Sequence, residues 1–379
     1  MKENDERPEN DELKPKKDAI SAENVGTNVS SDSVKCKSCG SNMIFDPDTQ
    51  KLKCTYCGYT EDFLKSVEVE ELDIENALKK NEKWSSETLV FQCDNCGAQI
   101  VAEKGQTAVL CPFCGTSHVT AVEDLEGIRP NAVLPFTISK EQVAENFRNW
   151  SKKKLFAPGE FKRTTRVDKI KGVYMPFFTF DSQTESVYEG RVGDTYTRTV
   201  QTKDGTRTET YTVWRHVSGT LSHFFDDVLI NAGREGEGVN LNKLAPFDWS
   251  GIKVFENKFL TGYFARRYEK DLQTCWGNAK DVMDKELRDM IIARCHCDVV
   301  DYVNVHTRHS NVKYKYVMLP VYVINYNYKK KHYTIYANGT TGKIIGKSPV
   351  SPAKASIAGV IGAIVVAGVI LLIYYFMRS

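Results

Sequence analysis

Cys36, Cys39, Cys54 and Cys57 are each followed, 57 residues later, by Cys93, Cys96, Cys111 and Cys114. The residues between correspond as well: Met43-Ile44 with Ile100-Val101, Leu52 with Val109, and Tyr56-Cys57-Gly58 with Phe113-Cys114-Gly115. This is an internal duplication. Two thiolates separated by two residues both reach one ion at about 2.3 Å, and two such pairs complete a tetrahedron. Gly40, Gly58, Gly97 and Gly115 follow the second cysteine of every pair, where a knuckle needs a positive φ that glycine tolerates. Apolar stretches between the pairs read as hairpin strands. The pattern predicts two zinc ribbons, each held by one structural Zn2+ on four protein thiolates, with no coordination position left for a catalytic water. A module this short builds little core, so the metal is expected to supply folding energy. Disulfides fit Cys-x-x-Cys-Gly pairs at ribbon spacing poorly. Redox-active pairs would need a βαβ context that the pattern lacks.

The second constraint lies at the other end. Ile357 to Phe376 contains no charged residue. At about 1.5 Å per residue such a helix spans the hydrocarbon core of a bilayer. Lys343, Lys347 and Lys354 precede it and only Arg378 follows, so the positive-inside rule keeps the N-terminal bulk in the cytoplasm. The expectation is a tail-anchored, single-pass protein of the cell membrane. Gly359, Ala363 and Ala367 share one helix face, a spacing that permits homo- or hetero-oligomer contacts within the membrane.

Residues 1–34 are rich in charge and poor in aliphatic and aromatic side chains, which predicts a disordered acidic N-terminus. They contain no apolar signal segment, and with reduced thiolates this points to the cytosol. Ribbon one is assigned to 35–60 and ribbon two to 91–120. Between them, 61–90 reads as an acidic helical connector carrying Phe63, Leu64, Val67, Leu72, Ile74 and Leu78. After Ser139, with Gln142 completing a capping box, Val143, Phe147 and Trp150 mark a helix face. From Ile170 to Ile230 the pattern alternates as strands around an Asp204-Gly205 turn. A second helix covers Asn278 to Arg294, with Val282, Leu287, Met290 and Ile291 facing inward. A β-meander follows, with turns at Lys329–Lys331 and Asn338-Gly339. The fold class is α+β: two zinc ribbons, a β-rich α+β domain over 121–346, a linker at 347–356 and the apolar helix at 357–376.

The order of two ribbons, "VLPFTISKEQ", "FAPGEF", "KIKGVYMPFFTFD", "SHFFDDVLI", "YVMLPVYV" and "NGTTGKIIGK" resembles the bacterial TFIIB-type zinc-ribbon membrane proteins, sometimes labelled primosomal or helicase-like from the ribbons alone. The resemblance covers nearly everything after residue 35, and the ribbon cysteines match position by position. It implies a membrane-associated partner role beside membrane-stress proteins of the phage-shock and SPFH type.

Charge narrows the function classes. The chain is +2 overall. Residues 36–120 carry eight basic and thirteen acidic side chains. Duplex binding needs lysine and arginine to displace counterions, so the ribbon region argues against nucleic acid, although Lys35, Lys37, Lys51, Lys53 and Tyr56 form a small basic face. "GKIIGKS", Gly342 to Ser348, has one residue too few for a P-loop. His216, His223, Asp226 and Asp227 are chemical types used in acid–base or metal chemistry, yet their pattern names no reaction. Cys295, Cys297, His306 and His309 could form a third metal site, though Cys-x-Cys is a poor ribbon knuckle. The expectation is therefore a non-enzymatic, membrane-tethered scaffold or adaptor that recruits protein partners. The alternative is a membrane-anchored nucleic-acid-binding or transcription-regulatory protein.

Overall fold

The computed structural model describes residues 34–63, 68–79, 88–94, 98–103, 111–113, 119–122, 128–163, 170–202, 205–233, 239–328 and 331–378. Residues 1–33, Leu64, Val67, Cys96, Val109, Cys114, Lys203-Asp204 and Lys329-Lys330 lie outside the described residues. The first cysteine set carries a small antiparallel sheet, β1 (Met43–Asp46), β2 (Lys51–Cys54) and β3 (Thr60–Glu61). Then come β4 (Leu72–Asp73) and a single-turn-scale helix, α1 (Ile74–Lys79). Among the described residues of the expected connector, helix is seen over these six. The second cysteine segment contributes β5 (Thr88–Cys93), β6 (Gln99–Glu103) and β7 (Val119–Val122).

The body follows with β8 (Ala132–Val133), α2 (Lys140–Lys152) and α3 (Gly159–Arg163). Ser139 caps α2 in the predicted box: its hydroxyl accepts from the Gln142 N–H, and the Gln142 side chain accepts from the Ser139 N–H. Three very long strands dominate: β9 (Ile170–Thr202), β10 (Gly205–Asn231) and, after the short β11 (Lys253–Val254), β12 (Phe264–Arg266) and the helix α4 (Leu272–Cys295), the strand β13 (Val299–Tyr328). β14 (Lys331–Asn338), β15 (Ile344–Gly346) and α5 (Pro352–Arg378) end the chain. β9 is central, antiparallel to β10 on one side and to β13 on the other.

Side-chain alternation on β9 and β13 builds two cores, one on each face of this sheet. Tyr174, Phe178, Phe180, Tyr316, Met318 and Tyr322 face one way and pack with α2, α3 and α4. Val173, Met175, Phe177, Val317, Leu319 and Val321 face the other and pack with Leu241, Leu244 and Phe247. Proline lacks a ladder donor, so it is confined to places where pairing is interrupted. Pro176 sits where the neighbour of β9 changes from β12 (through Tyr174) to β10 (from Phe177). Pro320 sits where the neighbour of β13 changes from β8 (through Met318) to β14 (from Val321). The two motifs also pair with each other, Met318 opposite Pro176 and Pro320 opposite Tyr174.

Beyond Gly193, which pairs with Val299 at the start of β13, β9 and β10 continue as a two-stranded ribbon. Cross-strand threonines cover one face (Thr195 with Thr212, Thr197 with Thr210, Thr199 with Thr208), while Tyr196 stacks on Tyr211 on the other. Such β-branched and aromatic pairs hold a ribbon that has little core of its own. The buried face of α4 is Leu272, Cys275, Ala279, Met283, Leu287, Ile291 and Cys295. Val282, expected inward, is 44% exposed. The helix starts six residues earlier than the sequence pattern indicated, and its inward stripe runs at steps of about four, which turns Val282 away.

Candidate metal centre

The ligand atoms of Cys36, Cys39, Cys54 and Cys57 lie within 4.8 Å of one another. Cys36 Sγ is 3.5 Å from Cys57 Sγ, and Cys39 Sγ is 3.5 Å from Cys54 Sγ. A tetrahedral site with metal–sulfur bonds near 2.3 Å has edges of about 3.8 Å, so the four sulfurs are placed to hold one metal ion. Each knuckle closes on its own backbone. The Gly40 N–H donates to the Cys36 carbonyl (2.9 Å), and the Gly58 N–H donates to the Cys54 carbonyl (3.1 Å). Gly40 and Gly58 have φ of 74° and 76° with open space where a Cβ would stand. Glycine is therefore required here for conformation, not for room.

Electrostatics favour a cation. Ser41 backbone and side-chain hydrogen bonds draw the Cys39 thiol down to about 6. Amide N–H groups of Cys57 and Tyr56 lower Cys54. The Tyr59 N–H would lower Cys57, yet the adjacent Cys39 sulfur, burial and Cys36 push it up to about 11. Cys57, crowded by neighbouring sulfurs, thus retains a proton that a divalent ion would replace. The centre is docked on the body. Met43, Phe45 and Leu52 are buried in the same core as Phe259, and the Phe45 N–H donates to the Thr261 carbonyl at 3.1 Å. Phe45, Phe63 and Phe259 form an aromatic cluster. Folding energy for this module therefore comes partly from shared apolar burial, in addition to any metal. Three lysines of its basic face are ion-paired: Lys37 meets Glu61 (2.7 Å), Lys51 meets Asp62 (2.9 Å) and Lys53 meets Asp46 (3.4 Å).

In the second set, Cys93 and Cys111 are buried and Cys96 and Cys114 fall outside the described residues. Two backbone contacts that flank the first knuckle recur. The Cys36 N–H donates to the Ser41 carbonyl and the Cys93 N–H to the Ala98 carbonyl, at 2.8 and 3.0 Å. The bridge Lys35–Asn42 likewise recurs as the pair Gln92–Gln99, each 57 residues on. The surroundings differ. β6 pairs with β12, which pairs with β9, so this segment extends the central sheet. Cys93 and Cys111 belong to the core on the face opposite the one that Cys36 and Cys54 join.

A second group of donors, invisible as a set in the sequence, is Asp181, Asp226 and Asp227. β10 bulges between Phe225 and Val228, and β13 between Ser310 and Lys313, both beside Asp181 on β9. Asp227 has φ 52°, and its N–H donates to the Asp181 carboxylate at 2.7 Å. Lys315, buried, reaches Asp227 (2.6 Å) and Glu71 (3.1 Å). Lys315 thus offsets part of the negative charge at this corner of the sheet. His216 and His223, seven residues apart on one strand, face opposite sides of it. Ser182, His309 and Asp284 are linked, at 3.2 Å and 3.6 Å, and Ser182 is fully buried. Cys295, Cys297, His306 and His309 are not gathered into a ligand group among the described residues. Cys295 ends α4, whereas His306 and His309 point to opposite faces of β13. "GKIIGKS" contains β15 and no phosphate loop.

No family model and no solved structure matches the chain. A protein of Bacillus subtilis (strain 168), described as "Uncharacterized protein YdjG", is 32% identical over 332 residues, covering 85% of this chain and 91% of that protein. The aligned length reaches well past both cysteine segments, so the likeness is one of the whole architecture, and the chain belongs to the same family as YdjG.

Proposed function

We propose that this chain is a membrane-tethered zinc-ribbon scaffold that holds a protein partner at the cytoplasmic face of the membrane. The observation that carries the reading is α5. Pro352–Met377 is long and apolar enough to cross a bilayer, and none of its apolar window is buried within the chain. A soluble protein would leave that surface in water, at a cost of about 25 cal/mol per Å2. The ion at Cys36, Cys39, Cys54 and Cys57 is zinc, and Cys93, Cys96, Cys111 and Cys114 hold a second, as in TFIIB-type ribbons. All-thiolate sites are structural, so the ribbons present surface and perform no reaction. Tyr56 on ribbon one is 83% exposed beside ion-paired lysines, a surface that suits a protein better than a phosphate backbone. This favours the adaptor over the transcription-regulatory reading.

Two measurements test it. The full chain purified in detergent, reduced and free of chelator, is expected to carry about two zinc ions. Cys39→Ser or Cys96→Ser is expected to lose one each by elemental analysis. A preparation with less than one zinc per chain sinks the ribbon reading. A photo-crosslinking residue at position 56 in native membranes is expected to capture a protein whose membrane recovery falls when either ribbon is disrupted. Capture of nucleic acid instead, or partner recovery unchanged without both ribbons, removes the adaptor role.

A further inference from the structure

The loop that joins α2 to α3 meets the start of α5. The Ser351 N–H donates to the Phe156 carbonyl and Lys354 Nζ donates to the Ala157 carbonyl, both at 2.8 Å. Ser351 in turn accepts from the Ala355 N–H at the first turn of α5 (3.1 Å), so the loop is pinned to the helix rather than merely near it. Within this loop Leu155 is 77% exposed, Phe156 44% and, on the adjoining strand of chain, Val350 56%. Adjacent apolar side chains left open in a short loop stand out against the single exposed residues any surface carries.

The charge around them is one-sided. Residues 150–163 and 343–356 contain Lys152, Lys153, Lys154, Lys162, Arg163, Lys343, Lys347 and Lys354 against one acid, Glu160. Lys152 and Lys153 are exposed, and Lys154 lies over the Trp150 ring at 4.7 Å. The depth also matches. From Ser351 to Ile357, where the uncharged run starts, is about 9 Å of helix. The polar layer on each side of a bilayer is roughly 5–8 Å thick. A leucine and a phenylalanine exposed at that level stand at the outer edge of this layer, placed to enter it, with lysines beside them at the headgroups.

We propose that the α2–α3 loop is a second membrane contact: Leu155 and Phe156 insert at the interface, and Lys152, Lys153 and Lys154 bind anionic lipid headgroups. The inference rests on α5 spanning the bilayer. One flexible helix end would let the body swing, whereas two points of contact fix which face of the sheet looks toward the cytosol.

The test uses the full chain reconstituted in phosphatidylcholine vesicles, with and without phosphatidylglycerol, whose acyl chains carry bromine as a fluorescence quencher. Leu155→Trp reports on the loop, and Leu371→Trp, in the C-terminal half of α5, reports on the tether. With phosphatidylglycerol present, the emission added at 155 is expected to fall about twofold. Changing Lys152, Lys153 and Lys154 together to Gln is expected to return it to the level seen in phosphatidylcholine alone. Quenching at 371 with none at 155 overturns the loop contact and leaves the tether standing, also where a protein shields 155 from aqueous iodide. Quenching at neither position removes the tether and the loop contact together. Quenching at 155 that ignores both phosphatidylglycerol and the lysines overturns the headgroup recognition.

Discussion

Asp181 shows what a single residue contributes at a corner of the sheet. Burial pushes its carboxyl up to about 6 from an ordinary 3.8, although the Asp227 N–H and Lys315 pull the other way. Between those values the folded chain holds a proton that the unfolded chain has released. Stability contributed by this group is therefore greatest in acid and falls as pH rises from about 4 to about 6. Glu71 behaves oppositely. Burial would raise it, but Lys315 and Lys313 bring it below its usual value, so its contribution is present above the ordinary glutamate range and fades as pH falls. Asp181→Asn keeps an acceptor for the Asp227 N–H and removes the titration. We expect denaturant midpoints of this variant, compared near pH 4 and near pH 7, to lose the acid-side gain that the parent shows from this group. An unchanged difference between the two pH values would mean that the carboxyl is not held protonated.

At the scale of elements, the long strands are built by close backbone approach. A Cβ on Gly190 of β9 would stand 2.6 Å from the Tyr302 carbonyl oxygen and 2.9 Å from Val303 Cγ2 on β13. The backbone oxygen cannot rotate away, so Gly190→Ala is expected to destabilise by about 1–3 kcal/mol through overpacking. Gly277 on α4 has open space at the same point. Gly277→Ala is expected to stabilise by about 0.5–1 kcal/mol through helix propensity alone. The same substitution thus acts with opposite sign in two elements, and urea unfolding of the detergent-solubilised chain reads both. Equal shifts at the two sites would show that close backbone approach does not set the cost at Gly190.

At the scale of the whole molecule, the two cysteine segments join cores on opposite faces of one sheet, and α5 leaves the body beside the α2–α3 loop. Removing residues 352–378 is expected to shift the protein from the membrane to the soluble fraction on cell breakage. If the lysines before α5 keep the body on the cytoplasmic side, as the proposed orientation requires, protease added to intact cells is expected to leave the body uncut. Cleavage from outside would reverse the orientation. Membrane recovery that survives the deletion would instead assign the attachment to the loop or to a partner.

Local chemistry was legible in the residues themselves. Cysteine spacing and knuckle glycines act over a few bonds, so they pointed to the site at Cys36, Cys39, Cys54 and Cys57 without knowledge of the fold. The same holds for the Ser139 capping box, the strand alternation and the uncharged run of α5, each set by periodicity within one element. Long-range placement was not legible. Asp181, Asp227 and Lys315 meet because two bulges fall in register beside one strand. The inward stripe of α4 depends on which side of β9 and β13 it lies against. The short strands after Cys93 continue the central sheet, while those after Cys36 close on themselves. Segments with the same cysteine spacing take these different neighbours because sheet pairing and core burial are decided between segments far apart in the chain, where spacing along the sequence carries no information about who meets whom.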